Sequence, residues 1–471
     1  MRKAALFSAI GILAAIGLGC YQPVRALAEE KPGVDGFVQI HDGKFELEGR
    51  PFVLRGTNYF GSWRERTTFD VGEDMAFGTV WGFYKDWSPA AVDEDFQFLR
   101  SRMNTTAIRV GTPSIEDFAS VVRYHGYQPW FNADGTITDL YKNELIQLAD
   151  IARRNGIRIQ LCLLWQLSSE IEADGDAFKP GGRMDTLYAN QVRSIAAALR
   201  DNPGVMSYSI GNEVLVRWKL NGTHPSWFEA RAGGFILRRL RELRTEAPHQ
   251  LLTVDEGASH ANMMYWHCPG PEFAVLPDTD GCNGGRAFRL SDFVDYHGGH
   301  FYPVMLTPED AGHGEAKVKD ALAQLASYMK AARADRKPVV LGEFGFQIKP
   351  ATLDPAQSGA FRDAFYKPVL AKGEELGLQG ALTWLALPML KLRPGHFTIE
   401  PSTENKYSPM ELHVEKPRGG MERILFYAPH FALFTWGPTG DTPNATPAAE
   451  ALAGAWVSVP PPAVEGKSAG K

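Results

Sequence analysis

The chain has 471 residues, 44% of them hydrophobic and 22% charged, with a net charge of −6 at neutral pH. These totals fit a globular protein, and a mildly acidic chain with no basic stripe is a poor partner for nucleic acid. The length allows two or three average domains, or a single large α/β barrel.

The N-terminus reads as an export signal. Arg2 and Lys3 precede an apolar run over residues 4–19, and "ALA" at 26–28 fits a small-x-small cleavage site. The run is too short to make a good membrane span. Cleavage after Ala28 removes Arg2, Lys3 and Arg25 and takes the net charge from −6 to −9. A secreted or periplasmic protein is expected. Cys20 directly follows the apolar run, so a lipid anchor there is the competing reading and the one route to a membrane partner. Of the remaining cysteines, Cys268 and Cys282 flank a Pro/Gly/Asp-rich loop and are expected to form a disulfide in an exported protein. Cys162 sits in an apolar run and reads as a buried thiol.

Residues 33–51 suggest a β-hairpin. Eight short β-rich runs then follow, at 52–59, 105–110, 157–165, 205–213, 250–256, 292–303, 337–345 and 378–387. Most are rich in Val, Ile and Leu with little alternation, as in parallel strands buried on both faces. Amphipathic segments lie between them at 91–102, 141–156, 189–204, 227–248, 316–334 and 359–377, and a last one at 446–456. The alternation predicts an α/β fold, a (β/α)8 TIM barrel with an N-terminal β-hairpin. A doubly wound open sheet is the alternative, but no dinucleotide-binding glycine motif supports it. The catalytic domain is expected over 33–458, with a long insertion at 388–445 after the eighth strand and a disordered tail at 460–471.

In such barrels, chemistry sits at the C-terminal ends of the strands. Glu213 ends the fourth run in "SYSIGNEV", and Glu343 lies near the end of the seventh in "VVLGEFG". Two carboxylates facing each other across a barrel mouth are the equipment for cleaving a glycosidic bond. Asp255 and Glu256 after the fifth run, and Glu170 beyond the third, are rival acids.

The ordered set of motifs resembles glycoside hydrolase family 5, from about Phe45 to Leu387: "IRV" with Arg109, "GNE" with Asn212 and Glu213, "HFY" with His300 and Tyr302, "GEFG" with Glu343, and "LTW" with Trp384. The resemblance implies a retaining enzyme with Glu213 as acid/base and Glu343 as nucleophile. Arg109 and Tyr302 would keep Glu343 ionised, Asn212 would bind the sugar 2-hydroxyl, and His300 would orient Glu213. Trp384 would stack under the sugar. Many family members carry a His just after the third strand, where this chain has Trp165 in "LLWQLSSE". Mannanase-like branches also depart there, so Trp165 joins the expected substrate-binding residues. β-1,4-Mannan ranks first as substrate and β-1,4-glucan second, with exo-acting cleavage of shorter β-glycosides also open. Trp63, Trp218 and Trp266 are candidates for further sugar platforms. No cofactor or metal is implied, and a monomer is expected. A non-catalytic carbohydrate-binding barrel would have lost one of the two carboxylates; both are present.

Overall fold

The computed structural model describes residues 35–59, 87–112, 130–165, 179–214, 228–257, 267–268, 288–303, 305–306, 314–348, 355–384, 397–401, 410–415, 421–424, 433–436, 443–460 and 462. The signal segment with Cys20, Trp63, Glu170, Trp218, Trp266 and Cys282 lie outside the described residues, as does the tail except at 460 and 462.

The chain opens with a three-stranded antiparallel sheet of β1 (Val38–His41), β2 (Lys44–Leu47) and β3 (Arg50–Pro51). The β1–β2 turn is Asp42–Gly43, with φ of 48° and 72°. Two consecutive positive φ values define the tight hairpin turn that Asp-Gly favours. The expected hairpin therefore forms and gains a short third strand.

The main chain then runs β4 (Leu54–Asn58), α1 (Pro89–Met103), β5 (Ala107–Gly111), α2 (Asp139–Arg154), β6 (Arg158–Leu163), α3 (Arg183–Leu199), β7 (Val205–Asn212), α4 (Phe228–Glu246) and β8 (Leu251–Gly257). After β8 come two short paired strands, β9 (His267–Cys268) and β10 (Phe288–Arg289), and a 3-10 turn at Leu290–Asp292. The second half continues with β11 (His297–Phe301), β12 (Met305–Leu306), α5 (Gly314–Ala332), β13 (Val339–Phe344), β14 (Gln347–Ile348), α6 (Pro355–Glu375) and β15 (Gly380–Thr383). Strands β4, β5, β6, β7, β8, β11, β13 and β15 pair in that order, all parallel, and β15 returns to β4 to close the barrel. Each of the eight strands lies within or overlaps the run that the sequence predicts.

The helices begin where local chemistry starts them. Ser88 caps α1 by accepting from the Ala91 N–H, and Thr138 caps α2 by accepting from the Tyr141 N–H. Helix α3 starts six residues earlier than its sequence pattern suggests. Its N-cap is Gly182, which offers no side-chain signal. Among the described residues, a 3-10 turn rather than an α-helix precedes β11.

Within 388–445, β16 (Phe397–Pro401), β17 (Met410–Glu415) and β18 (Met421–Ile424) form a second antiparallel sheet, and β19 (Phe434–Trp436) pairs with β20 (Pro443–Ala445). The last helix, α7 (Pro447–Gly454), packs against α1 and α6 and so bridges the end of the helical ring to its start. Arg55 of β4 donates to the carbonyls of Trp456 and Val459, which ties the chain after α7 to the barrel.

The barrel interior is divided along its axis. At the end where the strands begin, Leu54, Ala107, Met206, Leu251, Val340 and Leu382 pack with Val38, Phe45, Leu47 and Phe52 from the N-terminal sheet. That sheet is an apolar plug for the barrel bottom. Phe45 is fully buried and meets the ring of Tyr296 edge-on, with centroids 5.2 Å apart. Emptying this position leaves a cavity between plug and barrel. Phe45→Ala is expected to lower the unfolding free energy by about 3–5 kcal/mol, measured by urea denaturation.

Candidate active site

The other end of the barrel is polar, and its centre is Arg109 on β5. Its guanidinium is completely buried. Nε donates to Asp255 Oδ2 at 2.9 Å, and Nη1 donates to Asn58 Oδ1 at 2.9 Å and to Glu343 Oε1 at 2.6 Å. Nη2 donates to Asn212 Oδ1 at 2.6 Å. The plane also lies 4.3 Å from the ring of Trp165, a cation–π contact. One side chain thus joins β4, β7, β8 and β13.

Glu343 is held on both oxygens. Arg109 takes Oε1, and the Tyr302 hydroxyl donates to Oε2 at 2.9 Å. Its side chain is 5% exposed. Burial pushes the carboxyl above its ordinary pKa; His300 and Arg109 pull it back, and Glu213 adds to the rise, leaving it raised. Arg109 and Tyr302 therefore stand where the sequence reading puts them, against a burial cost that the sequence does not display. Burial, then the carboxylates of Glu343 and Glu213, push the Tyr302 phenol well above its own ordinary value, so it remains a donor.

Glu213 is reached by a break in the sheet. Pairing between β7 and β8 shifts register between Ser209 and Asn212. Gly211 has φ of +71°, and a Cβ there would stand 2.2 Å from Val214 Cγ2. Glu213 itself has φ of +55°. The left-handed backbone of a non-glycine residue costs on the order of 1 kcal/mol and is worth a functional explanation. Here it presents Glu213 at 23% side-chain exposure, while Asn212, one residue earlier, is 5% exposed. The backbone is fixed by the Glu213 N–H, which donates to the Asp255 carbonyl at 2.9 Å. Register shifts also occur at Gly299/His300 and between Leu341 and Phe344. Such irregularities re-aim side chains at a barrel rim.

His300 stands between the carboxylates. Nδ1 is 2.8 Å from Glu213 Oε1 and 3.5 Å from Glu343 Oε2. Burial opposes its protonation, but Glu343 and Glu213 outweigh that and hold its pKa above the ordinary value. Atoms of Glu213, His300 and Glu343 all lie within 4.8 Å of one another, close enough to share a cation. Both Glu343 oxygens accept from donors, and His300 Nδ1 faces Glu213.

Asn212 gives its oxygen to Arg109, which leaves its NH2 as the donor for a ligand hydroxyl. Trp384 follows β15, and its ring stacks on Trp165 with centroids 6.0 Å apart and planes 17° from parallel. Trp384 is partly exposed. Trp165, expected on the substrate side, is only 3% exposed and sits between Arg109 and Trp384. Cys162 is a buried thiol, as expected; burial pushes its pKa up to about 12, and its Sγ contacts the Gly211 carbonyl at 3.2 Å. The Cys268–Cys282 pairing falls on side chains outside the described residues.

Two members of the site are absent from the motif reading. Asn58 ends β4 and donates from Nδ2 to the carbonyls of Gly342 and Thr383 while accepting from Arg109. Asp255, a rival acid by sequence, is completely buried under the mouth and bonded to Arg109, Gln160 and Ser209. The signal for Asn58 was its place at the end of the first strand in "GTNYF".

No family model matches the chain. It is similar to mannan endo-1,4-beta-mannosidase 1 of Oryza sativa subsp. japonica, 24% identical over 408 residues, covering 78% of this chain and 81% of the relative. It is also similar to a probable mannan endo-1,4-beta-mannosidase C of Aspergillus terreus, 22% identical over 341 residues, covering 68% of this chain and 75% of that one. The chain resembles glycoside hydrolase family 5. Among solved structures, an exo-beta-1,4-mannosidase from Opitutaceae bacterium strain TAV5 matches with TM-score 0.50 and 19% identity over 75% of this chain and 56% of that one. A beta-D-glucuronidase of Dictyoglomus thermophilum matches with TM-score 0.50 and 13% identity over 91% of this chain. This chain spans about half the length of these two structures, 56% and 55%, and at such identities the likeness shows the barrel fold.

The Tyr302 hydroxyl stabilises the charged form of Glu343 more than the neutral form. Tyr302→Phe should therefore raise the pH at which Glu343 ionises, by roughly one unit. A carboxyl 13C NMR titration, with Glu343 assigned by its loss in Glu343→Gln, reads this directly; a fall in that pH would contradict the assignment.

Proposed function

We propose that the chain is a retaining glycoside hydrolase acting on β-linked mannan, with Glu213 as acid/base and Glu343 as nucleophile. The observation that carries the reading is the carboxylate pair. One carboxylate oxygen of Glu213 and one of Glu343 lie within 4.8 Å of each other at the mouth of a (β/α)8 barrel, close enough for the retaining arrangement. Retaining enzymes hold their carboxyls about 5–5.5 Å apart, whereas inverting enzymes need about 6.5–9.5 Å to admit a water.

The two environments suit two roles. Glu343 is buried and oriented by two donors, so one oxygen lobe can be aimed at an anomeric carbon. Glu213 is more exposed and hydrogen-bonded to His300, so it can meet the leaving oxygen and later a water. In the first step, Glu213 gives its proton to the glycosidic oxygen while Glu343 attacks the anomeric carbon and the C–O bond breaks. In the second, Glu213 takes a proton from water, which displaces Glu343 from the sugar. The NH2 of Asn212 would donate to the sugar 2-hydroxyl, a contact that strengthens as positive charge develops at the ring. Trp384 offers a flat apolar face for the sugar. The curated relatives, both named as mannan endo-1,4-beta-mannosidases, support mannan as the substrate class over glucan.

We also propose that the protein is exported and acts as a monomer. The charged start, apolar run and "ALA" at 26–28 support export. N-terminal sequencing of the exported protein should begin at Glu29; a diacylated Cys20 would replace this reading with a lipid anchor.

The substrate test is release of reducing ends from mannan, glucomannan, cellulose, mixed-linkage glucan and xylan, with the products sized. Mannan is expected to be cleaved fastest, and a mixture of oligosaccharides would mark internal cleavage. Glu213→Gln should lower kcat on mannan about 10²- to 10⁴-fold. It should still form the glycosyl-enzyme from an aryl glycoside with a good leaving group, giving a burst. Glu343→Gln should give no burst. Proton NMR of the first-formed product should show the β-anomer, and an inverted product would remove Glu343 from its nucleophile role.

A further inference from the structure

We propose that Asp255 is a positioning residue for this reaction: buried below the mouth, it fixes both catalytic glutamates and takes up part of the Arg109 charge, so that Glu343 stays basic enough to attack. The proposal rests on the glycosidase reading above and deepens it.

Asp255 holds the glutamates by two separate routes. Its backbone carbonyl accepts from the Glu213 N–H at 2.9 Å, which anchors the residue in its left-handed conformation. Its carboxylate accepts from Arg109 Nε at 2.9 Å, and Arg109 Nη1 reaches Glu343 Oε1 at 2.6 Å. The side chain has no exposure at all. Its remaining donors are Gln160 Nε2, at 2.8 and 3.1 Å to the two oxygens, and the Ser209 hydroxyl. Space for it is cut into the neighbouring strands: a Cβ on Gly298 would stand 2.8 Å from Asp255 Oδ1, and one on Gly342 3.2 Å. A buried carboxylate with this many dedicated partners is a built feature of the barrel interior.

Its electrostatic consequence follows from charge balance. With Arg109 alone beside it, Glu343 would face an undivided positive charge and its carboxylate would be strongly stabilised and weakly nucleophilic. Asp255 shares that cation through its bond to Arg109 Nε. The other titratable groups that face these three side chains are His300, Tyr302 and Glu213 toward Glu343, Cys162 toward Arg109, and Tyr296 toward Asp255. Of these, Cys162 and both tyrosines are held neutral by burial.

A purely structural role and a tuning role differ in sign. If Asp255 only props up Arg109, its loss lets the guanidinium drift from Glu343, and the ionisation of Glu343 moves to higher pH or stays in place. If Asp255 divides the charge, its neutralisation gives Glu343 the full cation, and the ionisation moves to lower pH. Asp255→Asn is nearly isosteric. Gln160 Oε1 is buried without a hydrogen-bond partner, so a flip of the Gln160 amide lets it accept from the new NH2.

The experiment is a carboxyl 13C titration of Glu343 in Asp255→Asn and in the unaltered protein, each checked for folding by circular dichroism. The expected result is a downward shift of about one pH unit, a tenfold change in the ionisation constant. An unchanged or raised value overturns the proposal. The acid limb of kcat/KM on mannan should shift by the same amount while kcat falls. If the unaltered protein cleaves no β-glycoside yet the NMR shift appears, the glycosidase reading fails and the charge division stands. Should Asp255→Asn not fold, Ser209→Ala keeps the charge and removes one donor. More of the Asp255 charge then bears on Arg109, and the titration of Glu343 should move up by a few tenths of a unit; a downward move or none overturns the proposal.

Discussion

A single buried cation organises the functional end of this barrel. Arg109 is cut off from solvent, and an unpaired guanidinium there would be prohibitively costly. It is tolerated because Asn58, Asn212, Asp255 and Glu343 each present an oxygen to it. The planar fork of Arg reaches these partners in different directions, which the single ammonium of Lys does not do. The partners come from β4, β7, β8 and β13, so the same contacts that complete the site also fix the register of half the barrel.

The two ends of the barrel answer different demands. Below, the N-terminal sheet packs Phe45, Leu47 and Phe52 into the opening and excludes water with apolar surface. Above, nearly every strand contributes a polar group, and the sheet departs from regular pairing where it carries Asn212, His300 and Glu343. Positive φ at Glu213 and at Leu164, the residue before Trp165, marks backbone held against its own preference. The apolar plug stabilises a fold that the functional end strains.

Much of this was legible in the sequence. The eight strands show because both faces of each are buried, which leaves an apolar run in place of alternation. Glu213 and Glu343 show because strand ends face the mouth. What does not show is the pairing across the interior. Nothing in "TVDEG" tells that Asp255 points inward to Arg109, since that depends on register with Asn212 and Gly298, residues far away in the chain. Trp165 is similar: the family resemblance placed it among the substrate-binding residues, and only the structure shows its ring packed between Arg109 and Trp384. The early start of α3 was hidden because its cap is a glycine.

The contrast between Asp255 and Glu213 shows how little residue type decides. Asn212 and Asp255 sit opposite each other in the sheet, both nearly or fully buried and both bonded to Arg109. Glu213 is only one position beyond Asn212, yet its carboxylate is partly exposed and faces His300. The difference is made by the register shift and the positive φ at Gly211 and Glu213, which lift the next side chain over the rim. An acid at that level of the barrel becomes a counterion for the buried cation. An acid one step higher can exchange its proton with solvent and ligand. The two acids thus lie at two depths, and the backbone break in β7 is what separates them.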